Sequence, residues 1–199
     1  MLSIILPVKE PEPYVPKMLV DIERCISQPY EVLIQKEKGL GYAVMCGVKK
    51  AKGNIIVVLD SDGSHPVSAI PEMVKLIGKY DMVVASRYKG GATNDSLSRE
   101  LVSRVYCLFA QLMFGLKIKD NMSGFIVAWK HLFMVYPIRN DGFKWGLEML
   151  VNSKPVYDAV EYPIVFEKRK AGKSKASPME AIHTFMFMLK LRMQIKGKF

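Results

Sequence analysis

"VVLDSDGSHP", residues 57–66, ends a run of aliphatic residues on two aspartates one position apart. A short run apolar on both faces suits a strand buried inside a parallel sheet, and Asp60 and Asp62 then stand at its mouth. Upstream, "LSIILPV" (2–8) and "YEVLIQ" (30–35) read as strands, with "NIIVVLD" (54–60) the third and "DMVVAS" (81–86) the fourth. The intervening stretches have helical spacing. Met18, Leu19, Ile22 and Ile26 share one side of "VPKMLVDIERCI", and 41–51 and 70–79 follow, the last with Pro71 in its first turn. Strands alternating with helices predict an α/β domain around a central, mostly parallel sheet. Such sheets take ligands outside the carboxyl ends of their strands, so Pro7 to Glu10, Gln35 to Glu37, Asp60, Asp62 and Arg87 should converge on one crevice.

The second half differs in character. Residues 99–116 form a long apolar helix, 143–153 a shorter one, and 156–169 is strand-like. Internal repeats, low-complexity tracts and linkers are all missing, which predicts one domain over 1–199. Lys and Arg number 29 against 19 Asp and Glu, a net charge of +10. That excess points to an anionic partner: nucleic acid, an anionic membrane surface or a phosphorylated small molecule. A solvated basic surface is the plainer alternative. Cys25, Cys46 and Cys107 lack any CxxC partner, which argues against a disulfide framework or a zinc site and favours a cytosolic setting. The opening residues are broken too soon by Pro7 for a signal peptide, and no apolar run is long enough to span a bilayer.

Two carboxylates at i and i+2 can be aimed at one divalent cation, and hard oxygen ligands suit Mg²⁺ or Mn²⁺. Ordinary turn chemistry also places Asp before Gly. Cations accompany the pair: Arg87 after the fourth strand, Arg99 and Arg104 flanking Ser103, and Arg169, Lys170, Lys173 and Lys175 in "KRKAGKSK". Forked guanidinium donors match phosphate oxygens, so a metal-holding acidic pair beside them fits a diphosphate leaving group.

"LDSDGSHP", "ASRYKGG", "SRELVSR", "DNMSGF" (120–125), "GLEML" (146–150) and "RKAGKSK" (169–175) occur in this order, after "KGLGYAVMCGVKKAKGN". The series resembles the polyprenol-phosphate sugar synthases of glycosyltransferase family 2, and within them the dolichol-phosphate mannose synthase branch. The resemblance implies a Rossmann-like GT-A fold and inverting, metal-dependent transfer of a mannose- or glucose-like sugar. The donor would be GDP- or UDP-linked and the acceptor a polyprenyl phosphate, at the cytosolic face of a membrane. It implies Asp60 on the donor side, Asp62 as principal metal ligand and Ser64 as a further polar ligand. Arg87, Arg99, Ser103 and Arg169, with Lys175, fall on positions that hold donor diphosphate or acceptor phosphate. Asp120, Ser123 and Glu148 would be structural or sugar-pocket residues. His65 follows the acidic pair and is expected to order its loop. A lipid phosphate is already a nucleophile near neutral pH, so alignment and charge neutralisation carry the chemistry, without a strong general base.

The pattern departs from the family in two places. The acidic "DD" loop expected after the second strand is absent, since "YEVLIQKEKGLGYA" runs straight into the glycine segment, and "LPVKEPEP" replaces a "PTYNE"-like opening. Pro7, Val8, Glu10, Gln35 and Glu37 are then the nearest candidates for base and ribose contacts. A non-catalytic GT-A module that lost donor recognition with the loop is the alternative reading. Nucleic-acid binding ranks last, because the basic stretches lack interleaved aromatics. The tail, a helix at about 179–196, is apolar nearly all round with Lys190, Arg192, Lys196 and Lys198 toward its end. It suits either core packing or peripheral contact with an anionic membrane.

Overall fold

The computed structural model describes residues 1–8, 13–142, 144–154, 156–168 and 178–196. Glu10, Arg169 and Lys175, with Lys170, Lys173 and Lys198, lie outside the described residues. In chain order the elements are β1 (Leu2–Pro7), α1 (Val15–Cys25), β2 (Tyr30–Gln35), α2 (Leu40–Lys50), β3 (Ile55–Val58), α3 (Ile70–Lys75), β4 (Met82–Ser86) and β5 (Ala92–Thr93). There follow α4 (Leu97–Phe114), β6 (Ile126–Trp129), α5 (Lys130–Val135), α6 (Trp145–Ser153), β7 (Ala159–Pro163), β8 (Val165–Phe166) and α7 (Pro178–Lys196).

Six strands form one sheet in the order β2-β1-β3-β6-β4-β7, and β5 pairs with β8 in a second. β1 runs parallel to β2 and β3, and β4 parallel to β7, while β6 is antiparallel to both its neighbours. Alternation along β1 sends Ile5 to one face and Ile4 and Leu6 to the other. On the Ile5 side the core is Val44 and Val48 of α2, Phe133, Trp145, and Met188 and Leu191 of α7. On the other side Met18 and Ile22 of α1 meet Ile70, Met73 and Phe125.

The expected central, mostly parallel sheet flanked by helices is present. Details differ from the sequence reading. β6 was not expected: "IVAW" is short, and α5 follows it at once, so no turn marks the strand's end. The stretch 156–169 divides into β7 and β8 around Ile164, and the helix expected over 70–79 closes at Lys75. The tail turns out to be two-faced. Met188 and Leu191 are buried against the core, whereas Met179, Ile182, Phe185, Met186, Leu189 and Met193 are exposed.

Candidate active site

The acidic loop leaves β3 at the carboxyl edge of the sheet and is tied down almost residue by residue. Ser61 donates its hydroxyl to the Pro7 carbonyl (3.3 Å), fastening the loop to the end of β1. Asp62 Oδ1 accepts both the Ser64 amide (3.0 Å) and the Ser64 hydroxyl (2.5 Å), a turn that fixes the carboxylate's direction. Gly63 has φ 78°, and a Cβ there would lie 2.5 Å from the Tyr14 ring, so a side chain is excluded twice over. The Glu167 amide donates to the Ser64 carbonyl (2.9 Å), which docks the chain just past β8 onto the same loop.

His65 is the buried pin of this loop. Its Nδ1 accepts the Asp60 amide (3.2 Å), which leaves the imidazole proton on Nε2. Its ring lies against Phe125 (5.4 Å between centroids) and Phe166 (5.3 Å). Burial holds its pKa below the usual histidine value, and the nearby Arg87 charge adds to this against the opposing fields of Asp60, Asp62 and Asp120. A neutral imidazole makes the 3.9 Å approach to Asp60 Oδ2 a polar contact rather than an ion pair. The expected role in ordering the loop is thus visible as a hydrogen bond. Asp60 itself keeps about a third of its side chain exposed and faces Gly124, where a Cβ would come within 3.3 Å of Oδ1.

Phe166 links this acidic half to a cationic half, since the Arg87 guanidinium carbon lies 5.2 Å from its centroid on the way to Tyr88 at 4.9 Å. Arg87 grips Asp120 with Nε on Oδ2 (2.8 Å) and Nη2 on Oδ1 (2.7 Å), and its Nη2 also reaches the Ser103 hydroxyl (3.2 Å). Asp120 is fully buried, and its two-pronged pairing outweighs the desolvation of Arg87, whose pKa is raised well above the ordinary value. Behind it, Glu161 accepts the Asp120 amide (2.9 Å) and the Ser86 hydroxyl (2.6 Å). Arg87 and Ser103 are therefore brought together, with the guanidinium largely engaged by Asp120. Arg99 sits one turn before Ser103 on α4, half-exposed and 3.8 Å from Asp95. Arg104 pairs with Glu100 (2.7 Å) and stacks over Tyr88 at 4.6 Å.

The donor-side candidates divide. Gln35 is buried and spends its amide on Lys50 (3.1 Å) and the Ile34 carbonyl (3.1 Å). Pro7 and Val8 are buried, and the Val8 amide is taken by Gln35 (2.8 Å). Glu37 is exposed and accepts from Cys46 Sγ (3.4 Å). Glu161, Phe166, Tyr88 and Tyr14 are site-shaping residues that the sequence reading missed. A carboxylate inside the otherwise apolar strand "AVEYP" was the one available signal, for Glu161.

The donor chemistry suits a hard dication: Asp60 and Asp62 offer carboxylate oxygens from one loop. Among the described residues no group of three or more His, Cys, Asp and Glu side chains forms a cage. Such a site fits Mg²⁺ or Mn²⁺ held by one or two carboxylates with substrate phosphates supplying further ligands.

Comparison with known proteins agrees with this architecture. A dolichol-phosphate mannosyltransferase of Pyrococcus furiosus is 35% identical over 158 residues, 75% of this chain and 45% of that protein. Another, from Mycosarcoma maydis, is 33% identical over 159 residues, covering 75% of this chain and 53% of that one. The chain thus spans about half the length of these relatives. Among solved structures, Mycobacterium tuberculosis glucosyl-3-phosphoglycerate synthase in complex with phosphoglyceric acid superposes with a TM-score of 0.70 at 16% identity. That match covers 96% of this chain and 79% of that one. The same enzyme with Mn²⁺, UDP-glucose and phosphoglyceric acid gives 0.69 over the same shares. At that identity the likeness is one of fold, and it bears out the GT-A expectation. The sequence pattern of glycosyl transferase family 2 matches residues 16–136, more than half of the chain, and to that family the chain belongs.

Proposed function

We propose that the chain is an inverting, metal-dependent hexosyltransferase that moves a sugar from a GDP- or UDP-linked donor to a polyprenyl phosphate at the cytosolic face of a membrane. The observation that carries this reading is the junction at Phe166. It sets a rigid loop bearing Asp60 and Asp62 beside Arg87 and the Arg99–Ser103 face of α4, so two anionic substrates can share one cleft. The mannosyltransferase names of the relatives support the acceptor class.

In the reaction an acceptor phosphate oxygen attacks the anomeric carbon while the bond from that carbon to the donor diphosphate breaks. The nucleoside diphosphate leaves with the electron pair, and no proton needs to move. A bound Mg²⁺ or Mn²⁺, held by Asp62 and Asp60, supplies charge neutralisation for the diphosphate. Ser64 orients Asp62, His65 holds the loop without carrying charge, and Arg99 with Ser103 offers a cationic, hydrogen-bonding face to the acceptor phosphate. Arg169 and Lys175 are proposed to add to that anion pocket.

The acceptor's lipid tail has a surface to match. Leu97, Leu101, Val105, Leu108 and Leu112 form one stripe on α4 and are 56–84% exposed. Phe109 of α4 meets Phe185 of α7 at 5.6 Å, which joins this stripe to the exposed face of α7, beside exposed Lys190 and Arg192. An apolar plane edged by cations suits an anionic bilayer surface. Among the described residues no helix is long and apolar enough to cross a membrane. The test is a transfer assay with GDP-mannose or UDP-glucose, a short polyprenyl phosphate and Mn²⁺ or Mg²⁺. Metal-dependent formation of the lipid-linked sugar is expected. Donor binding without any turnover would favour a non-catalytic module instead.

A further inference from the structure

Helix α2 opens on two glycines whose faces are occupied by a distant part of the chain. A Cβ on Gly41 would lie 1.8 Å from the Asn140 carbonyl oxygen, and one on Gly39 2.9 Å from Asp141 Cβ. Gly39 also has φ 102°, a conformation L side chains avoid. The occupying segment, 138–141, is gripped from behind. Buried Glu148 accepts the Arg139 amide on one oxygen (3.0 Å) and the Asn140 amide on the other (2.9 Å). Asn140 Oδ1 accepts the Gly142 amide (2.7 Å), closing the turn, and the Asp141 carbonyl accepts from the Gly41 amide (3.4 Å). The backbone is therefore held on both sides. The Asp141 carboxylate is nonetheless exposed and has no partner among the described residues.

This exposed acid stands at the edge where the proposed donor would bind. Gln35 at the end of β2 is in register with Pro7 of β1, and Ile5 of β1 with Val58 of β3. The glycine turn after β2 and the acidic loop after β3 thus leave the same sheet edge, two strand spacings or roughly 10 Å apart. That is about the reach from a diphosphate to the ribose of the same nucleotide. A carboxylate can accept hydrogen bonds from both hydroxyls of a ribose, the solution that dinucleotide folds also use at a strand's carboxyl end. Glu37, another exposed acid here, is turned onto Cys46.

We infer that Asp141, delivered by the Glu148-clamped turn onto the glycine face of α2, is the carboxylate that recognises the donor's ribose diol. It takes over from the loop that this chain lacks after β2. The assignment rests on the proposed function, in that the cleft must bind a nucleoside diphosphate. It is tested by titrating the full chain, with Mn²⁺, against GDP, UDP and their 2′-deoxy forms. The wild type should bind the ribo form roughly tenfold more tightly than the deoxy form. Asp141→Ala should erase that ratio by weakening the ribo form alone, with an unchanged melting temperature, while Glu37→Gln keeps it. A ratio that survives Asp141→Ala, one that moves with Glu37→Gln instead, or no preference in the wild type overturns the ribose assignment and leaves the proposed function standing. Failure of the wild type to bind any of these diphosphates defeats both.

Discussion

The two sides of α4 obey opposite rules. On one, Cys107, Ala110 and Phe114 are buried, and Ser103 receives the Arg87 guanidinium. On the other, Leu97, Leu101, Leu108 and Leu112 stand in solvent without a covering element among the described residues. Both sides are apolar in sequence, yet the fold needs only one of them. Leaving several leucines exposed forgoes about 1.5–3 kcal/mol for each that could have been buried. Hydrophobicity along this helix thus packs inward on one side and, in the proposed function, docks outward on the other, with the polar site at the seam.

The largest effect that would sharpen this contrast is chemical. Asp62→Asn should lower sugar transfer by at least about 100-fold, measured as lipid-linked product, while binding to anionic vesicles stays at the wild-type level. A parallel loss of vesicle binding would show that the seam and the outer face are not separable. Next comes the inner face. Arg87→Ala or Asp120→Ala leaves a buried charge without its partner and should cost about 3–5 kcal/mol in urea unfolding. The apolar pair Arg87→Met with Asp120→Leu should cost clearly less than the two single changes summed. Smaller again is the outer face. Leu101→Glu combined with Leu108→Glu should weaken partition onto anionic vesicles about tenfold or more, without lowering the melting temperature. A drop in melting temperature would mean that these leucines are structural after all. The smallest effect is a labelling pattern. Burial, with Asp120 nearby, pushes the Cys107 thiol up to about 11, so mild alkylation near pH 8 should mark Cys25 and Cys46 and spare Cys107.

How much of this was legible in the sequence follows from where each signal resides. The parallel strands showed themselves because each is a local run of apolar residues, and the acidic pair stood out because Asp60 and Asp62 interrupt such a run. β6 stayed hidden because strand identity there depends on antiparallel pairing with β3 and β4, which no local periodicity encodes. The inner and outer leucines of α4 look alike in sequence, since exposure is decided by what lies opposite. The bond from Arg87 to Asp120 spans 33 positions and that from Ser86 to Glu161 spans 75, so side-chain type could nominate these residues but not pair them. Asp141 carried no signal of its own, because its meaning comes from glycines a hundred positions upstream.

The pinning of His65 has a kinetic corollary. With that imidazole uncharged and Arg87 permanently charged, neither of these groups switches its proton as the medium passes through neutrality. A phosphate monoester gives up its second proton near pH 6. The acid limb of the rate profile for a phosphomonoester acceptor should therefore include the ionisation of the incoming nucleophile, and that contribution should be the same for wild type and for a variant at Asp141.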